Sequence, residues 1–204
     1  MAIDSNALVL AKTINKKLKM DAVVVASSIQ HSLMPRITSG SVSLDYALGG
    51  GWPGNQWVEL IGEASSGKTM TALKTIAANQ AKNPDHTTVW VAAEQWVPGY
   101  AQMCGVDLDQ VLVIETNIME EAYQAVIQFA ESQTVDAIVI DSLPALVPSI
   151  EDEKDAGDST VGRTALLTNQ FFRKVGKAMK RSLVEEERPV LGLMINQWRQ
   201  QIGV

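Results

Sequence analysis

Residues 62–69 read Gly-Glu-Ala-Ser-Ser-Gly-Lys-Thr, a complete G-x-x-x-x-G-K-[ST] loop. The apolar run Trp57-Val58-Glu59-Leu60-Ile61 precedes it, and a helix-like stretch follows from Met70. A strand that enters such a loop and a helix that leaves it constrain the chain to an α/β fold. The loop's backbone N–H groups wrap phosphate oxygens, and the positive end of the helix faces them. The pattern implies binding of a nucleoside triphosphate. Lys68 is placed to reach its β- and γ-phosphates, and the Thr69 hydroxyl to ligate Mg²⁺. The candidate binding residues are therefore Gly62, Glu63, Ala64, Ser65, Ser66, Gly67, Lys68, Thr69 and Met70. A Gly-rich turn before a helix is the competing reading.

The 204 residues give room for one α/β domain with a substantial core. With 46% hydrophobic and 20% charged residues the composition is globular, not disordered. No apolar run reaches the roughly 18 residues a membrane span needs, and residues 1–4 lack the layout of a secretory signal. The single cysteine, Cys104, excludes an internal disulfide and a four-cysteine zinc site, which favours a cytoplasmic setting. The net charge of −6 argues weakly against a nucleic-acid coat, but charge is patterned along the chain. Arg173, Lys174, Lys177, Lys180 and Arg181 cluster, with Arg173, Lys177 and Arg181 on one helical face. A solvated surface competes there with a phosphate-binding one.

Residues 5–19 carry Leu10, Ile14 and Leu18 at four-residue spacing among lysines, which predicts an amphipathic helix, and residues 21–27 read as a short strand. Residues 31–54, rich in Gly, Ser and Pro, read as a connection. Beyond them strands are expected over 57–61, 88–93, 111–114, 135–140 and 190–195, with helices over 67–82, 119–133 and 162–184. The strands are continuous apolar runs, as suits a mostly parallel sheet flanked by helices on both faces.

Ligands of an open parallel sheet sit beyond the carboxyl ends of its strands. Besides the loop, those ends carry Glu94, Asp141-Ser142 and Asn196-Gln197. Four apolar residues followed by Asp141 suit a Mg²⁺ site, Glu94 suits activation of water, and Gln197 suits contact with a γ-phosphate. A helix-capping aspartate and surface-exposed Glu94 and Gln197 are the alternatives.

Residues 37–49 (Ile-Thr-Ser-Gly-Ser-Val-Ser-Leu-Asp-Tyr-Ala-Leu-Gly), the loop, Val135-Asp-Ala-Ile-Val-Ile-Asp-Ser142 and Asn196-Gln-Trp-Arg-Gln-Gln-Ile-Gly-Val204 closely resemble the bacterial RecA recombinase family. The likeness runs in register from Ile37 to Val204. It implies a RecA-like P-loop ATPase core over 37–204, preceded by an oligomerisation arm of helix plus strand over 1–36. It implies ATP and Mg²⁺ as cofactors, single-stranded DNA and homologous duplex as partners, and self-association through residues 1–30. The setting would be the bacterial cytoplasm, host or phage-encoded. By this match Lys68 and Thr69 hold phosphate and metal, Glu94 activates water, Asp141 places the metal and Gln197 senses the γ-phosphate. Tyr100 stacks on adenine. Gly157, Asp158, Ser159, Gly162 and Arg163 fall in or beside the first DNA-binding loop, and Arg173 contacts the DNA backbone.

The sequence departs from the family in three places. Val97-Pro98-Gly99 stands where the family has an acidic residue near adenine, and the segment is one residue short. Leu166 stands where the family has an arginine. The chain stops where the second DNA-binding loop begins, so the family's remaining strands, C-terminal domain and subunit-bridging lysines are expected to be missing. That ordering predicts residues 57–61 on an exposed sheet edge. An incomplete recombinase is the leading expectation; a shortened, non-catalytic relative that caps or modulates a full-length filament is the alternative. Another ATPase of the same fold is a third, weaker one.

Overall fold

The structure is a computed structural model and describes residues 3–28, 35–149, 161–184 and 188–198. The backbone divides into two compact units, Met1–Met34 and Pro35–Val204.

In the first unit, α1 (Ser5–Leu18) starts at Asp4, whose carboxylate accepts from the Asn6 amide at 2.7 Å, and stops at a left-handed Lys19. None of its residues is buried, and Val9, Leu10 and Leu18 are all more than half exposed. Residues 21–25 do not form the expected strand, and a 3₁₀ turn follows at Ala26–Ser28. The Asn15 side chain takes up both backbone groups of Val23, at 2.8 Å each, and so substitutes for a ladder neighbour.

The second unit begins with a two-stranded antiparallel ribbon of β1 (Arg36–Ile37) and β2 (Trp52–Pro53). Between them a short helix, α2 (Val42–Ala47), replaces the expected featureless connection. Ser41 caps α2, and the Asp45 carboxylate gathers the Thr38 hydroxyl (2.5 Å), the Ser39 amide (2.7 Å) and the Ser39 hydroxyl (2.6 Å). Burial raises the Asp45 carboxyl, but the Ser39 and Thr38 donors outweigh it and hold the group below the usual carboxylate range.

The main sheet is entirely parallel: β3 (Gln56–Gly62), β7 (Leu191–Gln197), β6 (Ala137–Asp141), β4 (Thr88–Ala92) and β5 (Val111–Ile114), in that spatial order. As expected, β3 is an edge strand among the described residues, where it pairs only with β7. The helices are α3 (Lys68–Lys82), α4 (Pro98–Met103), α5 (Met119–Ser132) and α6 (Val161–Val184). Continuous apolar strands pack on both faces because successive side chains point to opposite sides. Val89, Val91, Ile138, Ile140 and Met194 meet α5 and α6 on one face. Trp90, Ala92, Val139, Leu193 and Ile195 meet α3 and α4 on the other.

Contacts on both faces hold the helices in place. On the α6 face, Trp57 lies edge-on to Phe171 (5.6 Å between centroids), which stacks on Tyr123 at 4.2 Å. Trp57 also covers Gly192 so closely that a Cβ there would stand 2.5 Å from the indole. On the opposite face, Thr75 of α3 accepts from Trp52 Nε1 (3.1 Å) and lies 3.0 Å from the Ser39 carbonyl, while Asn79 donates to the Thr38 carbonyl (2.9 Å). The Ser-Gly-Ser-Val-Ser-Leu-Asp run thus anchors the back of the loop's own helix.

At the opposite end of the strands from the loop, Asp136 pairs with Arg188, accepts from the Thr87 amide at 2.7 Å and faces His86 Nδ1 at 3.5 Å. Burial pushes the His86 imidazole below its ordinary value; Asp136 opposes that shift and Arg188 adds to it. Its Nε2 is buried with no partner among the described residues.

Candidate functional site

The loop leaves β3 at Gly62 and turns through a left-handed Ser65 (φ 58°) and Gly67 (φ 88°) into α3. Gly67 is the residue before the helix and supplies no side-chain cap, so the first amides of α3 stay available to an anion in the turn. Lys68 Nζ donates to the Glu63 carbonyl at 2.6 Å and the Gly62 carbonyl at 3.1 Å, which places the ammonium in the mouth of the loop.

A cleft of about 480 Å³ opens there, lined by residues 64–70 together with Glu94, Tyr100, Asp141, Ile195 and Gln197. The parallel register explains the gathering. Gly62 pairs with Gln197 and Ala92 with Asp141, so residues far apart in sequence leave the sheet at one rim. Gln197 is the last residue of β7, since that strand runs two residues further than its apolar run suggested. Ile195 also lines the cleft and carried no signal beyond being apolar.

Thr69 Oγ1 donates to Asp141 Oδ2 at 2.9 Å. Burial raises the Asp141 carboxyl above the usual range and nearby Glu94 adds to this, against the Thr69 hydrogen bond and Lys68. Its carboxylate is therefore short of positive charge. Two hard oxygen donors side by side, one of them an undercompensated carboxylate, fit a small divalent cation that takes its other ligands from water and phosphate. Among the described residues no group of three or more His, Cys, Asp or Glu could hold a metal, so any Mg²⁺ here would depend on such outside ligands.

Glu94 lies two residues beyond β4. The Asp141 carbonyl accepts from the amides of Ala93 (3.0 Å) and Glu94 (3.3 Å), and Ser142 Oγ donates to Glu94 Oε1 at 2.8 Å. Ser142 had no role assigned from sequence; a hydroxyl directly after the aspartate that ends β6 was the available signal. A second hollow of about 260 Å³ adjoins the cleft, with Leu73, Trp90 and Ala92 as its floor and Trp96, Val97 and Tyr100 as walls.

Among the described residues, the expected DNA contacts are not part of this cleft. Gly162, Arg163 and Arg173 lie on α6, where Arg163 sits 3.6 Å from the Glu120 carboxylate and Arg173 Nε donates to the Asn169 carbonyl at 3.4 Å. Gly157, Asp158 and Ser159 lie outside the described residues. No helix among the described residues is long and apolar enough to cross a membrane.

Residues 6–204 match the family described as the RecA N-terminal domain. The chain is 36% identical over 195 residues to Protein RecA of Lactobacillus delbrueckii subsp. bulgaricus, covering 95% of this chain and 56% of that protein. It is 41% identical over 169 residues to Protein RecA of Synechocystis sp., covering 82% and 46% respectively. Against Protein RecA of Listeria welshimeri it is 36% identical over 195 residues, covering 95% and 54%. The chain spans about half the length of the curated relatives it matches.

Proposed function

The chain belongs to the RecA family, and from that membership and the cleft we propose that it binds ATP with Mg²⁺ and hydrolyses it as the ATPase part of a DNA recombinase. The observation that carries this reading is the convergence of Lys68, Thr69, Glu94, Asp141 and Gln197 on one cleft from separate elements. In this reading Lys68 exchanges its two loop carbonyls for phosphate oxygens, and the first amides of α3 cradle the same group. Thr69 and Asp141 would hold Mg²⁺, which when bound would neutralise negative charge on the phosphates. Glu94 orients water in line with the terminal phosphate and takes its proton. Gln197 contacts that phosphate from the end of β7. Tyr100 offers its ring to the base.

The apolar residues left exposed on α1 support self-association through the arm, or co-assembly with a longer recombinase. Single-stranded and homologous duplex DNA are the proposed partners, with Gly157, Asp158, Ser159, Gly162, Arg163 and Arg173 as the proposed contacts. Salt-dependent binding would follow from the phosphate contacts.

Calorimetric titration with ATP and Mg²⁺ tests the nucleotide site. The wild-type chain binds, and Lys68→Ala, which removes a charged donor worth about 1.5–3 kcal/mol, weakens binding roughly 10–100-fold without loss of fold. Equal affinity in the two proteins would overturn the assignment. Comparing hydrolysis with and without single-stranded DNA then tests the coupling to DNA.

A further inference from the structure

We propose that Ser142 is a positioning residue that holds the Glu94 carboxylate toward the terminal phosphate. The inference rests on the reading of Glu94 as the group that activates water. Glu94 is exposed, lies on a bend and has three side-chain torsions to fix, so ordering its carboxylate costs rotamer freedom. The Asp141 carbonyl already fixes its backbone by accepting from Ala93 and Glu94. What remains free is the side chain, and among the described residues the only donor to its carboxylate is Ser142 Oγ, at 2.8 Å.

Ser142 is suited to this. It is 1% exposed, so its hydroxyl is itself held in place by packing and does not compete with bulk water. It bonds one carboxylate oxygen, Oε1, and leaves Oε2 free to take a proton. Adjacent residues then divide the work: Asp141 meets Thr69 at the metal position, and Ser142 sets the base beside it.

The test compares Ser142→Ala, Glu94→Gln and the double variant in the whole chain, by ATP affinity, single-turnover hydrolysis and side-chain ¹³C NMR of Glu94. Ser142→Ala should keep ATP affinity within about twofold and lose about tenfold or more in hydrolysis rate. It should add little to Glu94→Gln, and the Glu94 side chain should pass from one rotamer to an average of several. Ser142→Cys fills similar space with a weak donor and gives the same comparison should the alanine loosen packing. A wild-type rate in Ser142→Ala, full additivity with Glu94→Gln, or unchanged Glu94 rotamers would each overturn the role. Should the wild-type chain bind ATP without hydrolysing it, the proposed ATPase reading falls, and the NMR comparison alone decides whether Ser142 orients Glu94.

Discussion

Thr69 Oγ1 donates to Asp141 Oδ2 across 2.9 Å, joining the first turn of α3 to the end of β6 over 72 residues of chain. The contact ties the loop to the sheet's acidic rim, and it opposes the upward push that burial and Glu94 give the Asp141 carboxyl.

That push predicts a trade between stability and function at Asp141. Asp141→Asn keeps the shape and removes the disfavoured charge. In chelator at pH 7 it should therefore be more resistant to urea than wild type, by roughly 0.5–2 kcal/mol. The same variant should lose the rise in melting temperature that ATP and Mg²⁺ together give the wild type. A variant no more stable than wild type that keeps the Mg²⁺-dependent rise would refute the account.

Gly192 and Trp57 should behave as a coupled pair. A methyl at 192 would lie 2.5 Å from the indole, and overpacking of this kind costs about 1–3 kcal/mol. Trp57→Phe makes room and also removes Trp57 Nε1, which is buried with no partner among the described residues. The double variant should then be more stable than the sum of the single losses. Additive denaturation midpoints would show that the rings do not meet the strand as described.

His86 predicts a loss of stability on mild acidification. Its folded pKa lies below the ordinary value of about 6.5, so as pH falls the unfolded chain takes up a proton first and stability drops with it. Between pH 7.5 and 5.5 this group can contribute at most about 1.4 kcal/mol of loss. In His86→Leu that part of the pH dependence should vanish, as read from urea midpoints across the range. An unchanged slope would place the proton uptake elsewhere.

Asp45 should matter to the fold although it lines no part of the cleft. Asp45→Ala leaves the Thr38 and Ser39 donors to water and should cost about 1 kcal/mol, modest because the site is partly solvated. Hydrogen exchange should quicken in α2 and the Thr38–Ser39 segment before it quickens in β4 or β6. Uniform quickening across the sheet would contradict a local role.

Much of this was legible in the sequence because its cause is local or periodic. The loop spells its own backbone demands, and apolar runs ending in Glu94, Asp141 and Asn196 place acids and amides at one rim once the sheet is parallel. What stayed hidden depends on distant partners. Residues 21–25 have strand-forming side chains, yet Asn15 occupies the Val23 backbone. The helix at Val42–Ala47 is short and lies in a Gly/Ser-rich stretch, so no apolar period announced it; Ser41 and Asp45 stabilise it through contacts that only the folded chain makes. Arg163 was singled out only by the family resemblance, which gave no sign that it would sit beside Glu120.

The hydrogen bonds from Thr75 and Asn79 to the Thr38–Ser39 backbone have a bearing on Lys68 that their location conceals. An α-helix resists compression along its axis, so a shift at its middle arrives undiminished at its start. A slip of one residue at Thr75 would carry Thr69 along by about 1.5 Å, enough to part a 2.9 Å contact with Asp141. The axial setting of the first turn of α3 is thus governed by a segment that lines no part of the cleft.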